Sequence, residues 1–295
     1  MDACTLCPRM CGVNRAAGEK GYCGMDATIR AARAALHMWE EPCISGTRGS
    51  GAVFFSGCSL RCIFCQNFEI AEGNCAKEIS GERLSEIFLE LQEQGAANIN
   101  LVTAAHYVPA VIESLKKAKA QGMDLPVIYN SSGYERVETV QMLEEVVDVW
   151  LPDFKYMDSK LAFAYSRAKD YPEVARAAIR EMMKAAGTCA YDEDGYIQKG
   201  VIVRHLILPG HTKNSIAVLD ELYGTYGDDL TISLMNQYTP LPQVRNIPDL
   251  NRRGTKREYE KVLDHALDLG ITQGFFQEGG TAKESFIPLF DYEGL

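Results

Sequence analysis

From residue 52 onward, short continuous apolar runs alternate with longer stretches in which apolar residues recur every three to four positions. The runs AVFFSG (52–57), NINLVT (98–103), PVIYN (126–130), VDVWL (147–151), VIVRHLIL (201–208) and LTISL (230–234) read as strands. Helices are predicted over 82–95, 107–121, 134–145, 158–187, 213–223 and 255–269, with glycine stops at Gly95 and Gly122. Strands that are apolar without alternation are covered on both faces, as in a parallel sheet with helical crossovers. Six such units in a row predict either an open doubly wound sheet or an α/β barrel of the TIM type lacking its last two units.

Either architecture gathers its chemistry at the carboxyl ends of the strands. Those ends read SGC, VTAAH, YNSSG, LPDFK, LPGH and MNQY, so ligand-type and polar residues stand where each apolar run stops. Composition narrows the partners. The net charge of −10 argues against a nucleic-acid backbone. No run of about 18 apolar residues is present to span a membrane. The opening MDACTLCPRMCG has no basic region followed by an apolar run, so no signal peptide is expected and the cytoplasm is the expected location.

Ten cysteines remain to be explained, and seven fall into two groups. In a reducing compartment such groups hold metal or do redox chemistry more often than they form disulfides. Cys43, Cys75 and Cys189 stand alone and read as packed thiols. Cys58, Cys62 and Cys65 lie in the loop after the first strand, at the face where the site is expected. Three close thiolates suit an iron–sulfur cluster and leave one iron without a protein ligand. The alternatives are a zinc site, whose fourth ligand His106 would supply, and a thioredoxin-like Cys62-x-x-Cys65 pair, which has no use for Cys58.

The spacing Cys58-x3-Cys62-x2-Cys65, with Phe64 before the third cysteine, resembles the radical S-adenosylmethionine superfamily. The flanking WEEPCISGTRGSGAVFFSGCSLRCIFCQNFEI resembles its pyruvate formate-lyase activating enzyme-like branch over nearly the whole chain. The resemblance implies a partial TIM-type barrel of about six β/α units, a [4Fe-4S] cluster on the three cysteines, and S-adenosylmethionine at the open iron. It also implies reductive cleavage of that cofactor to a 5′-deoxyadenosyl radical that abstracts hydrogen from a substrate. By the same resemblance Asn130 and Ser131 lie near the cofactor, and Asp153 and Lys155 hold its amino acid end. Asp153 and Lys155, two apart at a strand end, point the same way; as an alternative they form a surface ion pair. Arg204 would reach the cofactor carboxylate, and Gln237 or Tyr238 would line the adenosine pocket.

One departure stands out. The superfamily's Gly-Gly-Glu stretch is absent after the second strand, where Thr103 and Ala104 remain for backbone contacts and His106 and Tyr107 fill the corner. His106 also reads as a packed residue. The phosphate-loop look of GTRGSG (46–51) fails because no Lys-Ser/Thr follows Gly51.

Cys4, Cys7, Cys11 and Cys23 precede the barrel with the spacing C-x2-C-x3-C-x11-C. Such a quartet is expected to be a closed metal site, either structural zinc or a second [4Fe-4S] cluster. Residues 1–45 are accordingly expected to form a cysteine-rich extension and 46–295 the barrel. Three functions compete: activation of a glycyl radical protein, the same radical chemistry on a small molecule or another macromolecule, and a non-enzymatic electron carrier or zinc module. Both enzymatic readings expect an external electron donor such as flavodoxin or ferredoxin.

Overall fold

The structure, a computed structural model, describes residues 3–277 and 288–295. In chain order its elements are β1 (Arg30–His37), α1 (Pro42–Ser45), β2 (Ser50–Phe55), α2 (Phe68–Ala71), β3 (Lys77–Glu78), α3 (Gly81–Glu93), β4 (Ile99–Val102), α4 (Val108–Ala120), β5 (Val127–Ser131) and α5 (Val137–Leu143). They continue with β6 (Val149–Pro152), α6 (Ser159–Ser166), α7 (Tyr171–Ala186), β7 (Ala190–Tyr191), β8 (Ile197–Leu206), α8 (Thr212–Tyr226), β9 (Thr231–Met235), α9 (Lys256–Asp268) and β10 (Gly274–Phe276).

The sheet runs β10-β9-β8-β6-β5-β4-β2-β1-β3, with β7 on β8. Along the path β2-β4-β5-β6-β8-β9-β10 every pairing is parallel, while β7 pairs antiparallel with β8. Along this parallel part, spatial order follows chain order without reversal. A doubly wound sheet would reverse at a switch point, so the winding is that of a partial TIM-type barrel.

The apolar strands are buried on both faces, as their sequences require. In β6, Trp150 joins the large core formed with the helices, including Phe88 of α3 and Leu115 of α4. Its neighbours Val149 and Leu151 point the other way, into a small cluster closed by Cys43 and Ile44 of α1. Helix starts are capped where the sequence offers an oxygen: Ser80 accepts from Arg83 N on α3, and Thr255 forms a capping box with Glu258 on α9.

Differences from the predicted elements are local. The helix predicted over 158–187 is two helices, because Arg167 adopts φ 52 and ends α6. β1 and β10 carry no long apolar run and were not predicted. β1 lies within the 1–45 segment yet pairs antiparallel with β2, from His37 opposite Ser50 to Ala31 opposite Phe55. Its other edge is partly covered by the chain's end, where Tyr292 N donates to Ala32 O and Ala34 N donates to Glu293 O. The segment before β1 docks instead on the loop that follows β2.

Candidate functional site

Ten of the residues singled out above line one cavity at the carboxyl ends of the parallel strands: Cys58, Cys62, Phe64, Cys65, Asn130, Ser131, Asp153, Lys155, Arg204 and Gln237. Thr103 lines it too. Ala104, His106 and Tyr107 are buried behind it, and Tyr238 packs outside it, donating to Leu250 O at 2.7 Å. The N-terminal cysteines lie elsewhere.

The trio's loop is held by packing and by hydrogen bonds. Phe64 is buried within an aromatic box, its ring 6.3 Å from Tyr165, 6.3 Å from Tyr238 and 6.5 Å from Tyr156. Arg61 takes a left-handed φ of 53 to turn the loop. Ser166 Oγ donates to Cys62 Sγ at 3.1 Å, and Leu60 N donates to Cys58 Sγ at 3.4 Å. Burial raises the Cys62 and Cys65 thiols, their neighbouring thiols raise them further, and Lys155 opposes the rise. Thiols that crowd one another beside a cavity, with a cation close by, fit a thiolate-bound metal cluster, whose own positive charge reverses the repulsion.

Lys155 and Asp153 form an ion pair at the end of β6, with side chains 17% and 22% exposed. The pair is therefore partly buried and faces the cavity, not the outer surface. Burial alone would lower the Lys155 ammonium, but Asp153 and Cys62 outweigh it and hold the pKa above its ordinary value. Tyr171 fixes this corner from behind. Its hydroxyl accepts from Lys155 N at 2.9 Å and lies 2.8 Å from Ser132 O and 3.0 Å from Asp153 O. The β5 turn approaches so closely that a Cβ on Gly133, at φ 72, would stand 2.1 Å from Asp153 O. Only glycine fits there.

Arg204 lines the cavity, and its guanidinium is already engaged. Nε donates to Glu41 Oε1 at 2.9 Å, and Nη2 bonds to both Glu40 and Glu41. Burial works against the Glu41 carboxylate, yet Arg204 holds it below the usual range. Glu40 also accepts from Asn100 Nδ2 at 3.0 Å and lines the cavity with His37 and Trp39. Sequence reasoning missed these residues and Tyr171. The signal available for Glu40 and Glu41 was the charged pair in WEEPC, which precedes a proline-started helix.

His106 sits where the superfamily's glutamate is missing. Its Nε2 pairs with Ser56 O at 2.7 Å, and burial lowers its pKa to about 3, so the ring is neutral and structural.

The family model described as the Radical SAM superfamily matches residues 52–222, more than half of the chain. The chain belongs to the radical SAM superfamily. Members of this superfamily use a [4Fe-4S] cluster to cleave S-adenosylmethionine reductively. An uncharacterized protein of Methanocaldococcus jannaschii is 29% identical over 270 residues, covering 89% of this chain and 74% of that protein. Among solved structures, HydG, a maturase of the [FeFe]-hydrogenase, aligns with a TM-score of 0.54 at 15% identity, covering 77% of this chain and 51% of that one. Streptococcus suis SuiB bound to S-adenosylmethionine aligns with a TM-score of 0.49 at 14% identity, covering 77% and 50%. The chain thus spans about half the length of these two solved proteins. Among the described residues, no helix is long and apolar enough to cross a membrane.

Proposed function

We propose that the cavity at the carboxyl ends of β2 to β9 is a radical S-adenosylmethionine active site. Cys58, Cys62 and Cys65 hold the [4Fe-4S] cluster, which, loaded with S-adenosylmethionine at its open iron, supplies a hydrogen-abstracting 5′-deoxyadenosyl radical. Asp153 and Lys155 face the cofactor's amino acid end, while Asn130, Ser131 and Gln237 contact its adenosine part beside Phe64. Arg204 acts through Glu40 and Glu41, which its Nε and Nη2 engage. It orients a Glu40 carboxylate that faces the substrate half of the cavity. The observation that carries this reading is the convergence of the trio, the Asp153–Lys155 pair and the β5 turn on one cavity within the matched region.

For the hydrogen donor, the surroundings favour a small molecule over the backbone of a glycyl radical protein. The cavity wall beside β2 is built by His37, Trp39 and Glu40 from β1 and the turn after it, and by Pro288. Anaerobically reconstituted protein should release 5′-deoxyadenosine from S-adenosylmethionine under reduction, and Cys58→Ala, Cys62→Ala and Cys65→Ala should each abolish it. An unchanged rate in all three variants removes the trio from the reaction.

A further inference from the structure

Cys4, Cys7, Cys11 and Cys23 lie outside the cavity, and the reading above gives them no task. The backbone gathers them. Cys4 N donates to Val13 O and Gly12 N donates to Cys4 O, both at 3.0 Å, while Met10 N closes a turn onto Cys7 O at 3.0 Å. A Cβ on Gly21 would stand 2.8 Å from Cys11 Sγ and 3.8 Å from Cys23 Sγ, so the space between these sulfurs is kept free of any side chain. Cys11 is exposed and the other three are buried. Thiols gathered in this way bind metal as deprotonated ligands.

Among the described residues, no three Cys, His, Asp or Glu side chains close on a point as ligands of a single ion. Zinc at about 2.3 Å from each sulfur requires sulfurs within roughly 4 Å of one another. The trio does not close on a point either, and there the superfamily assigns a four-iron cluster, which holds its thiolates farther apart. Like the trio, the quartet is thus not closed on a single ion among the described residues. We propose that Cys4, Cys7, Cys11 and Cys23 hold a second [4Fe-4S] cluster, closed by four protein ligands, that relays electrons to the trio.

Two short routes join the two sets. A Cβ on Gly57, the residue before Cys58, would stand 2.9 Å from Cys23 O. Arg9, two residues past Cys7, donates to Ser59 O and Ser166 O, both at 2.9 Å, and Ser166 Oγ donates to Cys62 Sγ at 3.1 Å. One electron enters from a low-potential one-electron carrier protein at the Cys11 edge and reduces the quartet's cluster. It then passes on to the trio's cluster, leaving the quartet reoxidised. No proton or bond changes hands.

The relay rests on the reading of the trio, and the test separates their failures. Reconstituted protein should hold about eight irons per chain and no zinc. After reduction it should show two electron paramagnetic resonance signals, of which S-adenosylmethionine shifts only the one with an open iron. In a Cys4→Ser/Cys7→Ser variant iron should fall to about four per chain and the unshifted signal should vanish. Reduction of the shifted signal by reduced ferredoxin should slow at least tenfold, while titanium(III) citrate still produces that signal. One zinc beside four irons, an unshifted signal that survives in the variant, or an unchanged rate with ferredoxin would overturn the relay. If the double variant does not fold, Cys11→Ser at the exposed ligand must alter the unshifted signal alone; no alteration overturns the proposal. Absence of any signal shifted by S-adenosylmethionine defeats the trio's assignment instead.

Discussion

Two sets of cysteines lie side by side in this chain, and their surroundings differ. The trio borders a cavity and has Asp153, Lys155, Arg204 and Glu40 around it. The quartet is wrapped in its own turns and docked by hydrogen bonds to backbone oxygens: Arg136 donates to Thr5 O and Thr139 to Leu6 O, both at 2.7 Å. Charged groups on several strand ends serve a set that must accept a ligand from outside. A set whose ligands all come from its own segment needs only to be held in place. Openness is thus written less in the number of thiols than in what faces them.

The largest effect should come from breaking each set in turn. Cys62→Ala should cut S-adenosylmethionine cleavage by at least ~100-fold, since even losing a group that merely orients a metal ligand costs 10–100-fold. Its melting temperature should change little, because the trio's loop keeps its Phe64 box. Cys7→Ala should instead destabilise residues 3–29 by several kcal/mol, on the order of what a closed thiolate site contributes to a small fold. Hydrogen exchange confined to that segment is the measurement. Equal melting temperatures for the two variants would erase the distinction between open and closed sets.

Next comes the ion pair. Lys155→Ala should weaken S-adenosylmethionine binding about tenfold and also cost about 1–3 kcal/mol, because it strands the partly buried Asp153 carboxylate. Asp153→Asn combined with Lys155→Ala should recover part of the stability but none of the affinity. Calorimetric titration together with denaturant unfolding separates the two. If the single variant binds normally, the pair belongs to structure.

That pair also marks how far the sequence could be read. The trio, the strand ends and the Asp–Lys spacing were legible because each rests on local order: a fixed spacing, or a polar residue where an apolar run stops. Glu40, Glu41 and Tyr171 were not. They reach the site only through the antiparallel placement of β1 beside β2 and the packing of α7 behind β6, neither of which leaves a periodic trace. RAARAALH, with its arginines and small residues, hides a strand next to the sheet edge whose Arg33 pairs with Asp291 and Glu293. The break at Arg167 was hidden for another reason: a left-handed arginine has no signature that a glycine would provide.

The flanks of the trio should titrate in opposite senses. On the quartet side, buried Glu135 faces Tyr129 and Ser131, and burial raises it to about 8. On the other side burial lowers His205 to about 4; its ring lies 2.6 Å from Phe154 O and 2.9 Å from Ser215 Oγ. The histidine's folded pKa lies below its unfolded value near 6.5, so its contribution is complete above that pH and is lost as pH falls toward 4. The glutamate's folded pKa lies above its unfolded value near 4.5, so its contribution is present at low pH and is lost as pH rises toward 8. From pH 7 to pH 5, wild type should lose about 2 kcal/mol relative to His205→Asn and gain about 2 kcal/mol relative to Glu135→Gln. Urea unfolding of the three proteins at both pH values checks the signs, and like signs would mean that one flank is wet.

The smallest effect lies in the backbone of the two regions. Met10, in the quartet's turn, has φ 41, and Thr103, on the cavity wall after β4, has φ 62. A left-handed residue with a Cβ costs roughly 1–2 kcal/mol, while glycine adopts the conformation freely but gives back about 0.5–1 kcal/mol in unfolded-chain entropy. Met10→Gly and Thr103→Gly should therefore each stabilise by up to about 1 kcal/mol. Met10 is 55% exposed, so its side chain has little packing to lose. Thr103 lines the cavity, and its N donates to Asn130 O at 2.9 Å, a bond that glycine keeps while the cavity wall loses a hydroxyl. Thr103→Gly should thus lower S-adenosylmethionine affinity a few-fold as it stabilises the fold, whereas Met10→Gly stabilises with affinity unchanged. Thr103→Ala is the control, since it removes the hydroxyl and keeps the strained φ: affinity should fall as in the glycine variant, without the gain in stability. If alanine and glycine at 103 stabilise equally, the left-handed backbone there stores no strain, and the cavity wall is as relaxed as the rest of the sheet.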